Sequence, residues 1–201
     1  MILFINCDDK KIEDSPLSKS LLKVCKEFLG DDKILFNSKE DQINYNIKDL
    51  KKVKGVIISG SDLRIIKKQY PKFILTSILP LLHLDVPVLG ICFGMQKLGL
   101  LFKCKINSFP KQRNARRIVK FSNNALFKGI DTRKRFYVEH YDYIEKTSNL
   151  VDIIATDSKG LCYGFKHKLK PYYGLQFHPE KSGTEGKKIF KNFFTICKIK
   201  L

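Results

Sequence analysis

Short, continuously apolar runs alternate with helix-like segments through the first half of the chain, and this alternation constrains the fold most strongly. The runs cover residues 1–6, 33–36, 53–58 and 86–91. Strands that are apolar on both faces are typical of parallel sheets with helices packed on both sides. The pattern therefore predicts an α/β protein built on an open, mostly parallel sheet.

Four helices are predicted around these strands. Ser15 can cap free N–H groups and Pro16 fits a first helical turn, so a helix begins there, and Gly30 ends it. The other three are predicted over about residues 64–82, 95–102 and 184–198.

After residue 103 the strand-like pieces follow one another with few helical connections. They cover residues 104–107, 115–121, 135–139, 151–156, 161–166 and 172–177. Consecutive strands joined by short connections pair antiparallel, so we expect an antiparallel extension of the sheet in the second half. The whole is predicted to be one flavodoxin-like domain over residues 1–201, because 201 residues are too few for two ordinary domains.

The net charge of +18 would attract nucleic acid, anionic membranes or acidic proteins. Most of the cations are lysines scattered singly or in pairs, and the densest stretch, residues 111–117, has no aromatic residue on which a base could stack. Nucleic acid is therefore not the expected partner. No stretch approaches the 18 apolar residues of a membrane span, so none is expected.

The six cysteines form no C-x-x-C pair, and their spacing suggests neither a zinc site nor a disulfide framework. The N-terminal apolar run has no basic residues before it and is interpreted as a strand, not a signal peptide. We expect a reduced, cytoplasmic location and no metal.

Cys92 directly follows the apolar run 86–91 and stands between Gly90 and Gly94. A nucleophile flanked by glycines between a strand and a helix is the arrangement of a nucleophile elbow. The helix dipole there favours thiolate over thiol, and the N–H of Phe93 would point to a developing oxyanion. A buried structural cysteine would give the same short pattern, so this run alone leaves both interpretations open.

A second run, residues 173–180, leads from alternating apolar residues to His178, Pro179 and Glu180. A cysteine nucleophile needs a base that takes and returns a proton, and the base needs an acceptor that orients it. His178 and Glu180 are spaced so that both can face one side beyond the strand. A surface histidine followed by a solvated glutamate is the alternative.

A third run, residues 55–61, is an apolar strand that ends in Ser59-Gly60-Ser61. The loop would present backbone N–H groups at the carboxyl edge of the sheet, where open α/β sheets place their sites. A plain strand-to-helix turn would look the same.

Together the three runs resemble the class I glutamine amidotransferases. Residues 90–96 resemble the family's G-[IV]-C-x-G-x-Q nucleophile motif, and residues 174–180 resemble its G-x-Q-F-H-P-E motif. Ser59-Gly60 resembles the start of the S-G-G oxyanion loop, with Ser61 in place of the second glycine. The order and spacing also agree, and the resemblance spans nearly the whole chain.

The resemblance implies a glutaminase. Cys92 would attack the side-chain amide carbon of glutamine and give a glutamyl thioester and ammonia, with His178 as base and then acid. Glu180 would orient His178. The N–H groups of Gly60 and Phe93 would form the oxyanion hole.

The resemblance also implies how the substrate is held. Gln96 would help to bind glutamine, and the backbone near Tyr141 and Asp142 would hold its amino-acid end. No cofactor is implied. If the loop requires a positive φ at Ser61, that residue is strained, and if it requires only a small side chain, little changes.

The sequence contains no synthetase domain, so the resemblance implies that ammonia passes to a separate synthetase or acceptor subunit. Residues 139–144 resemble the H-x-D-x-V segment of GMP synthetase glutaminase subunits, in which the histidine and aspartate, here His140 and Asp142, help to couple the subunits. Residues 136–140 also resemble the glutaminase subunit of imidazole glycerol phosphate synthase. The anthranilate and aminodeoxychorismate glutaminases are a third option.

Two other functions remain open from the sequence. A γ-glutamyl hydrolase or peptidase would use the same triad, although Gln96 favours glutamine. A catalytically silent, basic interaction module is the non-enzymatic alternative, and it would have no need for Cys92, His178 and Glu180 together.

Overall fold

A computed structural model of the chain describes residues 1–11, 14–31, 34–37, 50–68 and 84–200. Within these ranges, nine strands form a single sheet. The strands are β1 (Ile2–Ile5), β2 (Ile34–Asn37), β3 (Gly55–Ile58), β4 (Val88–Ile91), β5 (Lys105–Phe121), β6 (Arg133–Lys146), β7 (Val151–Thr156), β8 (Cys162–His167) and β9 (Tyr172–Leu175). Their order across the sheet is β2-β1-β3-β4-β9-β8-β7-β5-β6.

The sheet has a parallel part and an antiparallel part. Strands β2, β1, β3, β4 and β9 pair parallel, and β9, β8, β7, β5 and β6 pair antiparallel. The predicted parallel sheet with an antiparallel extension is confirmed. Strand β9 belongs to both parts, because the chain returns from the extension to pair beside β4.

Three helices that lie wholly within the described residues cover the two faces of the sheet. They are α1 (Pro16–Leu29), α2 (Phe93–Leu101) and α3 (Gly183–Ile196). Helices α1 and α3 pack their apolar sides on one face, where Leu21 and Phe190 belong to the same buried cluster as Phe4. Helix α2 covers the other face, where Met95 packs in a second cluster with Val56. Each such side chain removed from water contributes about 1.5–3 kcal/mol to folding.

Helix α1 has the predicted ends. The Ser15 hydroxyl accepts the Ser18 N–H, Pro16 occupies the first turn, and Gly30 follows the last residue with φ 76°. The Ser15 hydroxyl thereby satisfies an N–H group that the helix leaves free, and the Gly30 N–H donates to the Lys26 carbonyl at the other end.

Two element predictions differ from the structure in their bounds. Residues 65–68 form a turn and not the start of a helix, and the rest of the helix predicted over 64–82 lies outside the described residues. The pieces predicted at 104–107 and 115–121 are one strand, β5, which pairs with β6 on both sides of a bulge between Ser108 and Arg113. Pro110 lies in this bulge, where its missing N–H breaks no ladder hydrogen bond.

Within the described ranges, no helix has both the length and the apolar character needed to cross a membrane.

Candidate active site

The order of the strands brings two distant motifs together. Strands β4 and β9 are parallel neighbours in which Gly90 pairs with Gly174 and Ile91 with Leu175. Both strands therefore end at the same edge of the sheet. The Cys92 N–H continues the ladder and donates to the Leu175 carbonyl at 2.7 Å. The motif around Cys92 and the motif around His178 consequently meet at this edge.

Cys92 lies in a strained turn between β4 and α2. Its φ of 51° is in the left-handed region, which is unfavourable for a residue with a side chain. A Cβ on Gly90 would come within 2.6 Å of the Gly94 backbone, and a Cβ on Gly94 would come within 2.5 Å of the Ile58 carbonyl oxygen. The two glycines are therefore needed for close backbone approach, and Cys92 itself has the unusual φ. The geometry is that of a nucleophile elbow at a helix N-terminus.

His178 and Glu180 form a buried pair. The distance from His178 Nδ1 to Glu180 Oε1 is 2.6 Å, and their side chains are 0% and 1% exposed. Burial lowers the pKa of His178, but the negative charges of Glu180 and of Cys92 outweigh it and raise the pKa to about 10. The site therefore favours a charged imidazolium at His178, beside Glu180 and Cys92.

Hydrogen bonds to β6 and to the following turn fix the backbone of His178. Its N–H donates to the Tyr137 carbonyl at 2.8 Å, and its carbonyl accepts the Ser182 hydroxyl at 2.7 Å. Ser182 Oγ in turn accepts the Tyr137 N–H at 3.0 Å. His178 Nε2 is buried with no partner at hydrogen-bonding geometry in the described part of the chain. The free nitrogen is the one that proton transfer to or from a substrate requires.

Gly60 lies against both catalytic candidates. A Cβ placed on it would be 3.2 Å from His178 Cε1 and 3.5 Å from Cys92 Cβ. Ser61 is absent from the positive-φ residues of the described ranges, so it carries no backbone strain. A small side chain is therefore sufficient at that position. Phe93 is the first residue of α2 and is 1% exposed.

A polar network that the sequence did not reveal supports the Gly60 loop. The Ser59 hydroxyl accepts the Cys7 N–H at 2.9 Å and donates to the Gly60 carbonyl at 2.9 Å. The Ser18 hydroxyl of α1 lies 3.2 Å from Ser59 Oγ and donates to Asn6 Oδ1 at 2.6 Å. These bonds connect the loop to β1 and α1 and fix it next to Cys92.

A cavity of about 190 Å³ opens onto Cys92. It is lined by Cys92, Gln96, Gln112, residues 61–64 and residues 139–142. Pockets for drug-sized ligands measure about 300–1,000 Å³, so this cavity matches a smaller molecule such as one amino acid. Tyr141 and Asp142 therefore lie where the sequence predicted substrate contacts.

The predicted Gln96 and His140 are both hydrogen-bonded to the backbone of Asp142. Gln96 Nε2 donates to the Asp142 carbonyl at 2.6 Å, and His140 Nδ1 lies 3.0 Å from the same oxygen. Burial is the main reason that the pKa of His140 falls to about 4, so its ring is neutral. His140 is only 4% exposed, so the coupling role predicted for it would have to act through the backbone of β6.

Two further side chains at the site had no predicted role. Gln176 is fully buried, and its Nε2 lies 3.6 Å from Cys92 Sγ. Arg64 lines the cavity and stacks on Tyr141 at 4.1 Å. The adjacency of Gln176 follows from β9 pairing with β4, which a local pattern does not contain. For Arg64, no sequence signal distinguishes it from the other surface cations.

Among the residues that the structure describes, no group of three or more His, Cys, Asp or Glu side chains is arranged to hold a metal ion.

Replacing Gly60 with alanine should slow the chemistry without unfolding the protein. The added Cβ would push the His178 ring by a few tenths of an ångström, and small misplacements at a reacting centre are costly, so we expect the rate of reaction at Cys92 to fall about tenfold. Gly99→Ala is the matched control, because its Cβ would come closest to the flexible end of Ile144 and to no part of His178 or Cys92. Equal activity of the Gly60→Ala and Gly99→Ala proteins would contradict the placement of Gly60 beside the reacting atoms.

Comparison with known proteins gives one family. The family model for glutamine amidotransferase class-I matches residues 17–197. The chain is 33% identical over 153 residues to a glutamine-hydrolysing GMP synthase from Clostridium tetani, covering 75% of this chain and 29% of that protein. It is 32% identical over 151 residues to the enzyme of the same name from Francisella philomiragia, covering 72% of this chain and 28% of that protein. The chain thus spans less than a third of the length of these curated relatives.

Solved structures share the fold. A candidate GMP synthase subunit from Thermoplasma acidophilum is similar with a TM-score of 0.78 at 24% identity, over 98% of this chain and 94% of that one. A glutamine amidotransferase from Thermotoga maritima is similar with a TM-score of 0.69 at 18% identity, over 99% of this chain and 86% of that one.

Proposed function

The chain belongs to the class I glutamine amidotransferase family, and we propose that it hydrolyses glutamine to glutamate and ammonia through a thioester on Cys92. The observation that carries this proposal is the buried His178–Glu180 pair, 2.6 Å apart, at the strand edge where Cys92 occupies its strained turn. A surface histidine followed by a solvated glutamate, the alternative from the sequence, would not be buried.

In the first half of the proposed reaction, the Cys92 thiolate attacks the side-chain amide carbon of glutamine. Negative charge develops on the amide oxygen, where the N–H groups of Gly60 and Phe93 would stabilise it. The His178 imidazolium then donates its Nε2 proton to the leaving nitrogen, the C–N bond breaks, and ammonia departs. Glu180 accepts the Nδ1 hydrogen bond throughout and keeps the ring in the required tautomer.

In the second half, neutral His178 takes a proton from water at Nε2, and the hydroxide attacks the thioester. The C–S bond breaks, glutamate leaves, and the thiolate–imidazolium pair is restored. The raised pKa of His178 suits this return, because the ring is charged at the start of every cycle.

We further propose that the ammonia passes to a separate, GMP-forming synthetase subunit. Two comparisons support this partner. The chain is similar in fold to a candidate GMP synthase subunit from Thermoplasma acidophilum, and it is 32–33% identical to glutamine-hydrolysing GMP synthases over 72–75% of its own length. A reducing, cytoplasmic location is part of the same proposal, and it is supported by the six cysteines, all of which are free thiols.

Glutamate release tests the proposed reaction. Purified protein given glutamine should release glutamate and ammonia in equal amounts, and γ-glutamyl peptides should turn over more slowly. With a GMP-forming synthetase present, glutamine should replace ammonium as the nitrogen source only when this chain is added. If glutamine is not consumed either with or without the synthetase, the proposal is wrong.

A further inference from the structure

We propose that Arg64 binds the α-carboxylate of glutamine and thereby restricts the site to substrates with a free α-carboxylate. This inference rests on the proposed function, and it assigns a specificity-determining residue within that site. The family resemblance gives Arg64 no role, since it implies only that backbone groups near Tyr141 and Asp142 hold this end of the substrate.

The shape of the cavity places the amino-acid end of the substrate near Arg64. The reacting amide must lie at Cys92, and the described lining away from Cys92 consists chiefly of residues 61–64 and residues 139–142. The rest of a glutamine molecule therefore extends towards the loop that carries Arg64 and towards the β6 backbone. A carboxylate that enters such a partly enclosed space needs a cation or N–H groups as partners.

Arg64 is the one cationic side chain among the described residues that line the cavity. His140 does not compete with it, because burial lowers the pKa of His140 to about 4 and keeps its ring uncharged. A guanidinium is also the group best suited to a carboxylate, since its planar N–H donors match the two carboxylate oxygens.

Contacts with β5 and β6 hold the Arg64 side chain in place. Its guanidinium lies over the Tyr141 ring at 4.1 Å, donates from Nη2 to the Ser108 hydroxyl, and lies 3.5 Å from Asp142 Oδ1. Asp142 Oδ2 also accepts the Ile66 N–H at 3.0 Å, which fixes the loop on the other side of Arg64. The group is thus positioned before a substrate arrives, and little entropy is lost on binding.

The anchored guanidinium retains unused capacity to donate hydrogen bonds. The contacts with Ser108 and Asp142 both engage Nη2, so they leave the other terminal nitrogen, Nη1, for a ligand, whereas Nε is buried and has no hydrogen-bond partner in the described part of the chain. The side chain keeps 18% of its surface exposed, at the cavity.

Rates of Cys92 alkylation by two glutamine analogues test this assignment without requiring turnover. One probe is the γ-diazomethyl ketone analogue of glutamine, and the other is the same compound with its α-carboxylate converted to an amide. Arg64→Gln should slow labelling by the first probe at least about tenfold, the size of one lost charge-assisted hydrogen bond, and should leave labelling by the α-amide within about twofold. Arg64→Lys keeps the positive charge but lacks the planar set of N–H donors. Its rate of labelling by the first probe should therefore lie between the rates of the wild type and of Arg64→Gln.

Arg117→Gln is the matched control, because Arg117 is exposed on β5 and does not line the cavity. Thermal melting of each variant checks that the loop still folds. If Arg64→Gln slows both probes equally, the loop is damaged and the carboxylate is not recognised by Arg64. If it slows neither probe, Arg64 does not contact the substrate. Either result would overturn the role of Arg64. If the wild-type protein reacts with neither probe, the proposed function is wrong and this inference with it.

Discussion

Replacing Cys92 with alanine should reduce glutamine hydrolysis on the order of 10⁴-fold or more, with little change in thermal stability. The large effect is expected because the Cys92 sulfur forms and breaks the thioester bond to the substrate. Without this nucleophile the thioester pathway does not exist. Alanine fills the same left-handed position as Cys92, whose φ is 51°, so the turn itself should persist. Glutamate release and thermal melting measure the two expectations.

The control for Cys92→Ala is Cys104→Ala. Cys104 is buried at 5% exposure in the connection between α2 and β5 and does not line the cavity. Its loss should cost some stability and leave kcat near that of the wild type. A Cys92→Ala protein that still hydrolyses glutamine at a comparable rate would rule out the thioester.

Replacing Glu180 with glutamine should reduce kcat/KM for glutamine about 10²-fold or more. The amide keeps the size of Glu180 but loses its charge, so the imidazolium loses one of the two anions that raise the pKa of His178. The amide of the new glutamine can also turn either its N–H or its oxygen towards His178 Nδ1, so the selection of one His178 tautomer is weakened. Steady-state kinetics on glutamine measure the loss.

The same variant should change the pH profile in a defined direction. In the wild type the pKa of His178 is raised to about 10, so the imidazolium persists well above neutral pH and is lost only as the pH approaches that value. Without the charge of Glu180 the pKa of His178 falls, and the alkaline limb of kcat/KM should move to lower pH. A Glu145→Gln control should keep the wild-type profile, since Glu145 forms a surface pair with Lys105. An unchanged alkaline limb in Glu180→Gln would contradict the pairing with His178.

Local pattern was enough to predict most of the parallel sheet and the helices α1, α2 and α3. Strands β1, β3 and β4 are buried along their whole length, and the ends of α1 are marked by Ser15 and Gly30. These features depend on residues that are close in sequence. The motif around Cys92 could be recognised for the same reason. Gly90 and Gly94 stand two positions before and after Cys92, and both are needed for the close backbone contacts of the turn.

The parts that the sequence did not predict depend on long-range pairing. Strand β5 continues across Pro110 because its partner strand β6 accommodates the bulge. The paired residues of these two strands are up to about forty positions apart in the sequence. Gln176 reaches Cys92 only because β9 pairs beside β4. Arg64 faces the cavity because Asp142 and Tyr141, on a strand far along the chain, hold its side chain. No local pattern contains this information.

The most direct test is to identify the covalent intermediate. Wild-type protein mixed with glutamine, quenched rapidly in acid and digested with protease should yield the peptide containing Cys92 with an acid-stable glutamyl group on sulfur. The same experiment on His178→Gln protein should show much less of this adduct. Glutamate release with no glutamyl group on Cys92, or with the group on another residue, would contradict the catalytic assignment.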